Sequence, residues 1–199
     1  MLETCWQYII NNKFEVLAFI LSVAGVWLTA KEKVINWPIN IVACIVSIYL
    51  FYKDSLFGDA ALNFFYVIIG FYGWYEWLYG GKGKQALAVS KTPVKTLLIL
   101  LIITVPACFI FGKMLSYTSS TVPYWDGITT ALSLAATWMQ ARKLIENWLL
   151  WIVTDLLYLA PYIIKQLYLF SLLYFIFAVL AVYGYYLWKK ELTQTTSVA

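Results

Sequence analysis

Seven apolar stretches, each closed by a short polar break, follow one another from Glu15 to Trp188. A membrane-spanning helix needs ~20 mostly apolar residues, and runs of ~17 suffice. The stretches are Glu15–Ala30, Ile35–Tyr52, Asp59–Tyr79, Lys95–Leu115, Trp125–Ala141, Ile145–Ile164 and Tyr168–Trp188. Seven helices of ~20 residues use about 140 positions of a 199-residue chain, which leaves too few for a separate soluble domain. Composition agrees: 63% of residues are hydrophobic and 12% charged, against roughly half and a quarter in an ordinary soluble domain, so the apolar excess cannot be hidden in one core. The expectation is an all-α integral membrane protein, with residues 1–199 as a single membrane domain. The first thirteen residues, Met1 to Lys13, lack a basic stretch followed by a short apolar core and a small-residue cleavage site, so no cleaved signal peptide is expected.

Absent residues narrow the function classes. The chain has no histidine, which removes His-ligated metals, Ser-His and Cys-His pairs and the usual general base. Its three cysteines, Cys5, Cys44 and Cys108, stand at unrelated spacings and give neither a disulfide framework nor a zinc site. No catalytic residue, metal or cofactor is expected. A net charge of +4 is too small to suggest nucleic acid.

Seven spans put the two ends on opposite sides, and basic residues choose the sides. Lys31, Lys33, Lys82, Lys84, Lys91, Lys95, Arg142, Lys143, Lys189 and Lys190 fall on one set of loops. Only Lys13, Lys53, Lys113 and Lys165 fall on the other. The positive-inside rule then places the C-terminus and the long Gly80–Val94 connection in the cytoplasm, with the N-terminus outside.

Displacing the chain against itself by 111 residues aligns two stretches without a gap. Leu21, Ser22, Ala24, Trp27 and Ala30 fall on Leu132, Ser133, Ala135, Trp138 and Ala141. Asn36 and Trp37 fall on Asn147 and Trp148, and Tyr72, Gly73, Tyr75 and Trp77 fall on Tyr183, Gly184, Tyr186 and Trp188. Residues 15–79 and 125–188 are thus two three-helix repeats. Three helices reverse the chain direction, and a linking helix at 95–115 restores it, which predicts a 3+1+3 plan of parallel repeats with a site between them near the midplane. Pro38, Pro106 and Pro161 are candidate kinks or helix starts.

Polar residues inside the spans mark the candidate site. On the sixth segment Trp148, Trp151, Asp155, Tyr158 and Tyr162 are spaced 3, 4, 3 and 4 and share one helical face. Asp155 lies about ten residues, or ~15 Å of rise, from the cytoplasmic end, near the middle of the bilayer. A carboxyl there costs at least ~2.5 kcal/mol on insertion scales and is expected to face a cavity; the bland alternative is a protonated acid that hydrogen-bonds a neighbouring helix. The matched face of the first repeat carries Trp37, Asn40, Cys44, Ser47 and Phe51, and the third segment offers Asn63 and Tyr66. Trp77, Tyr79, Tyr124, Trp125 and Trp188, at the span ends, are expected to form an interfacial aromatic belt. Glu76, Asp126, Arg142, Lys143 and Glu146 are expected to be solvated or ion-paired. An aromatic face with one carboxylate suits a flat organic cation, because indole and phenol faces attract positive charge by ~0.5 to 2 kcal/mol each and stack on a heteroaromatic ring.

The run Asn147-Trp148-Leu149-Leu150-Trp151 with Asp155 four further on, the Arg142-Lys143 pair before it, Tyr124-Trp125-Asp126, and Tyr72-Gly73-Trp74-Tyr75 ahead of Trp77 resemble the PnuC family of nicotinamide riboside transporters. The resemblance runs from about Glu15 to Trp188. It implies a 3+1+3 fold like that of the SWEET sugar transporters, and facilitated diffusion of a vitamin precursor that a cytoplasmic kinase then traps by phosphorylation. It implies a multi-pass protein of the bacterial inner membrane whose partners are its substrate and the bilayer, with a homo-oligomer also compatible. The substrate-binding candidates are Trp148, Trp151, Asp155, Asn63, Tyr66, Asn40 and Tyr158. Two positions depart from the family's nicotinamide riboside pattern W-x-x-W-x-x-x-N: Asp155 stands at its last place, and Asn63 stands where Gln is usual. An ionised Asp only accepts hydrogen bonds, whereas an amide also donates. Thiamine, a cation with an aminopyrimidine donor carried by some relatives, is therefore the alternative substrate. A proton-coupled carrier using Asp155 as a relay and a membrane enzyme or receptor are the competing functions.

Overall fold

The computed structural model describes residues 13–53, 57–118, 120–164, 166 and 168–198. Cys5, with the segment before Lys13, and Lys165 lie outside them. Among the described residues there are seven helices: α1 (Lys13–Ala30), α2 (Asn36–Lys53), α3 (Phe57–Tyr79), α4 (Val94–Leu115), α5 (Pro123–Ala141), α6 (Asn147–Ile164) and α7 (Tyr168–Val198). Pro123 opens α5 with its fixed φ, and Asp126 in the first turn faces the positive end of the helix dipole. Pro106 and Pro161 sit inside α4 and α6. The last helix runs ten residues beyond the expected end at Trp188, because Lys189, Lys190 and Glu191 end the apolar stretch without breaking a helix.

Helices α4, α6 and α7 through Gln194 are both long and apolar enough to cross a membrane, and Val16–Ala30 of α1 is a shorter apolar helix. In lipid the apolar side chains face outward and the polar ones inward, so burial runs against hydropathy. Gly112 is the one buried residue of α4, and Ile102 and Phe109 are exposed. The more polar α5 buries Thr129, Ser133, Thr137 and Gln140 in the bundle.

Within each group of three, neighbouring helices pack: α1 on α2 and α2 on α3, then α5 on α6 and α6 on α7. Between the groups, α1 packs on α7 and α3 on α5, the first helix of one against the third of the other. Helix α4 packs chiefly on α5. Residues 111 apart make the same contacts. Asn36 Nδ2 donates to the Lys33 carbonyl at 2.8 Å and Asn147 Nδ2 to the Leu144 carbonyl at 2.6 Å. The Trp37 indole lies on Gly73 and the Trp148 indole on Gly184, where any Cβ would enter the ring's contact distance. Gly→Ala at either place would overpack the helix pair.

Trp37, Trp77, Trp148 and Trp188 form one buried cluster. Trp37 and Trp77 meet edge to face at 5.6 Å, Trp148 and Trp188 likewise at 5.3 Å, and Trp77 and Trp188 join the pairs at 6.0 Å. This corrects the belt expectation for Trp77 and Trp188, each 0% exposed. Their position along the helix is a span end, but their face turns inward, and Trp77 Nε1 donates to the Gln140 carbonyl at 3.0 Å.

The turns after α1 and α5 close the same end of the bundle. Glu32 (φ 54°) and Lys143 (φ 48°), 111 residues apart, both take the left-handed conformation that reverses a chain at a helix C-terminus. Their side chains pair across the interface of the two groups at 2.8 Å, and Lys143 Nζ also lies 4.6 Å from the centre of the Trp77 ring. Arg142 pairs with Glu76 at 3.0 Å, and Glu146 accepts from the Thr92 N–H at 2.8 Å and from its hydroxyl, so these terminal charges are held by partners. Removing one member of a mostly buried pair strands the other. Lys143→Met is therefore expected to cost about 3 kcal/mol in unfolding of the purified protein, and the charge swap Glu32→Lys with Lys143→Glu to recover more than half of it. Unchanged stability in Lys143→Met would show the pair to be without structural weight.

Candidate functional site

Below the tryptophan cluster a cavity of about 210 Å³ opens between the two groups of helices. Its lining comes from α1, α2, α3, α5, α6 and α7, with nothing from α4. The lining is itself paired at 111 residues: Thr29 with Gln140, Trp37 with Trp148, Asn40 with Trp151, Cys44 with Asp155, Tyr66 with Phe177 and Gly70 with Ala181. Two similar halves therefore enclose an unlike interior, with amide and thiol in one half at the positions where the other has indole and carboxyl.

Six of the seven site candidates line this cavity: Asn40, Asn63, Tyr66, Trp148, Trp151 and Asp155. Trp148 reaches it only at an edge, since it is 1% exposed and held between Trp188 and Gly184. Tyr158 shares their helical face one turn further along but is not among the lining residues; it stacks on Tyr174 at 4.6 Å. Tyr162, Tyr174 and Phe170 continue that column, with rings 5.3 Å apart. The cavity thus lies between an indole cluster at one end and a phenol column at the other.

Asp155 is 2% exposed, and among the described residues no hydrogen bond or ion pair engages its carboxyl. Leaving such a group dry and unpaired costs several kcal/mol, which a cavity that admits a ligand or water reduces. Trp151 is half-buried, with its Nε1 donating to Gln140 Oε1 at 3.1 Å, so the indole plane is fixed beside the cavity. Among the described residues Asp155 is the one carboxylic acid of the lining, and no Lys or Arg belongs to it. As a set, these groups attract a cation, stack a flat ring and offer amides and hydroxyls around it.

Sequence reasoning passed over Gln140, Thr29, Thr137 and Phe177. The repeat offered the signal, because Gln140 falls on Thr29 and both are polar residues in the last turn of an apolar helix.

A bundle of apolar-faced helices around one polar-floored cavity defines a multi-pass membrane protein built to handle a small molecule. The chain belongs to the nicotinamide mononucleotide transporter family, whose family model matches residues 12–190. It is thereby a membrane transporter of the PnuC family and not an enzyme. It is 22% identical to the nicotinamide riboside transporter PnuC of Escherichia coli (strain K12), covering 93% of this chain and 88% of that one. With PnuC of Haemophilus influenzae the identity is 23%, over 96% of this chain and 86% of the relative. The riboflavin/roseoflavin transporter RibM of Streptomyces davaonensis is 25% identical over 76% of this chain and 69% of its own. The crystal structure of the vitamin B3 transporter PnuC shares the fold, with a TM-score of 0.75 at 22% identity over 94% of this chain and 86% of that structure.

Proposed function

We propose that the protein carries nicotinamide riboside across the bacterial inner membrane by facilitated diffusion. The observation that supports this most is the lining itself, in which Trp151 and Asp155 stand on one face of α6 and no basic side chain is present among the described residues. A pyridinium ring can stack on the indole while its fixed charge faces the carboxyl. The phosphate of a mononucleotide would bring a second anion to Asp155 with no cation in the lining to offset it, which favours the nucleoside. Size argues in the same direction. At about 210 Å³ the cavity lies below the ~300 to 1,000 Å³ of ordinary ligand pockets and suits a single ring with a sugar better than the three fused rings of a flavin. Two PnuC relatives named for nicotinamide riboside support the same substrate.

Asn40, Asn63 and Tyr66 supply polar contacts to the sugar and ring in this reading, Trp148 backs the site, and Tyr158 closes its outer end through Tyr174. Thiamine is the second reading. It is favoured by Asp155, which can pair with a cation and accept from an aminopyrimidine at once.

In architecture we propose two parallel three-helix repeats, 15–79 and 125–188, joined by a linking helix at 95–115, the 3+1+3 plan. The cross-packing of α1 on α7 and α3 on α5 supports it. The C-terminus lies in the cytoplasm and the N-terminus outside, and a cytoplasmic kinase retains the product. Reporter fusions after Lys84 and Trp188 are expected to read cytoplasmic and one after Ser119 external; a cytoplasmic signal at Ser119 would overturn the seven-span arrangement.

Purified protein in liposomes is expected to take up and exchange labelled nicotinamide riboside without ATP, sodium or a pH gradient. Accumulation above the external concentration, driven by any of these, would exclude a facilitator, because binding alone supplies no such free energy.

A further inference from the structure

We infer that Gln140 is a specificity-determining residue, whose side-chain N–H donates to a hydrogen-bond acceptor on the rim of a ring stacked against Trp151. The inference rests on the proposed substrate class and adds to it the group that is read.

The orientation of the Gln140 amide follows from its partner. An indole N–H can only donate, so the Gln140 atom 3.1 Å from Trp151 Nε1 must be the carbonyl oxygen. That leaves the amide nitrogen directed elsewhere, and among the described residues it meets no acceptor. Gln140 is 8% exposed and lines the cavity. Its backbone is pinned as well, since the Gln140 carbonyl accepts from Trp77 Nε1 at 3.0 Å and from the Lys143 N–H at 3.0 Å. A donor held in place and open to the cavity is ready for an acceptor, and a ligand that displaces water from it must replace that hydrogen bond. The indole that orients it is also the stacking face, which puts the donor beside the periphery of a stacked ring. In the matched position of the first half stands Thr29, whose hydroxyl is already spent on the Gly25 carbonyl at 2.9 Å. At this matched pair, then, the side-chain donor is presented by the half that carries Trp151 and Asp155.

A ring carboxamide offers the required acceptor. The test compares nicotinamide riboside with the riboside of unsubstituted pyridine, which keeps sugar and charge and lacks the carboxamide, by calorimetry on the purified full chain. Wild type is expected to prefer nicotinamide riboside by about tenfold, the size of one net hydrogen bond. Gln140→Met removes donor and acceptor and is expected to bring that preference below about twofold. Gln140→Glu keeps an acceptor for Trp151, and so guards against a folding defect, and is expected to lose the preference as well. If either folded variant weakens both ligands equally and keeps the tenfold preference, Gln140 is structural and the inference fails alone. It also fails alone if wild type binds both ligands equally. A wild type that binds neither overturns the nicotinamide riboside reading and the inference with it.

Discussion

Asp155→Asn is expected to divide the two candidate substrates. The change is isosteric and lies on a helix face fixed by Trp148 and Trp151, so the cavity keeps its shape while losing a charge and an acceptor. For nicotinamide riboside the loss is the attraction of a pyridinium to a carboxylate, ~1 to 2 kcal/mol in a partly wet cavity, or roughly five- to thirtyfold in affinity. Part of this returns, because an amide can both donate to and accept from a carboxamide. Thiamine loses the charge and the acceptor for its amino group together, and its binding is expected to fall by more than that of nicotinamide riboside. Calorimetric titration of both ligands against wild type and variant measures the difference. If neither affinity changes, Asp155 is no ligand, and its burial without a partner among the described residues becomes a purely structural fact.

The unequal halves give that result its wider meaning. The two groups of helices share their turns, their Asn-to-carbonyl bonds and their indole-on-glycine contacts at a spacing of 111 residues. Where they face the cavity they differ, with Asn40 opposite Trp151 and Cys44 opposite Asp155 in the repeat alignment. Residues that hold helix to helix, Trp37 and Trp148 among them, are thus duplicated, while Asn40 and Trp151, and Cys44 and Asp155, differ where they meet the cavity. A transporter alternating between two openings needs similar halves to move against each other, while recognition of an asymmetric molecule needs unlike contacts.

Much of this was open to reading in the chain, for physical reasons that differ from residue to residue. Helix extents follow from hydropathy and from the polar breaks between spans, and α1 to α6 each begin and end within about two residues of the apolar stretches. The face of α6 follows from the 3, 4 spacing, which the burial of Trp148 and Asp155 beside exposed Leu149, Val153 and Leu156 reflects. What spacing does not give is the azimuth of a helix end. Trp77 and Trp188 stand at span ends like belt residues, and only the packing of α3 on α5 and of α7 on α1 turns them inward. Gln140 escaped for a related reason. A lone Gln in the last turn of a span is indistinguishable from a solvated one until Trp151 is seen to bond it. Tyr158 illustrates the converse, since it lies on the expected face but beyond the cavity's end, against Tyr174.

Trp151 is where the largest single loss of affinity is expected. Truncation to Ala removes the stacking face and a cation-π contact, for ~1 to 3 kcal/mol, or roughly five- to a hundredfold in Kd. The cavity also gains volume, so a ligand that still enters is held less closely. Phe keeps a ring in the same place, and from the sequence alone it would retain most of the affinity. The bond from Trp151 Nε1 to Gln140 Oε1 changes that expectation. With the indole N–H gone, the Gln140 amide loses the partner that fixes its orientation and can present either end to the cavity, at a cost of about 1 kcal/mol, the worth of one hydrogen bond. Trp151→Phe is therefore expected to fall between wild type and Trp151→Ala. Combining Trp151→Phe with Gln140→Met is expected to weaken binding by less than the product of the two separate losses, because each substitution breaks the same bond. Titrations of the four proteins with nicotinamide riboside measure this coupling. Losses that multiply would mean that indole and amide act on the ligand independently, leaving stacking as the sole contribution of Trp151.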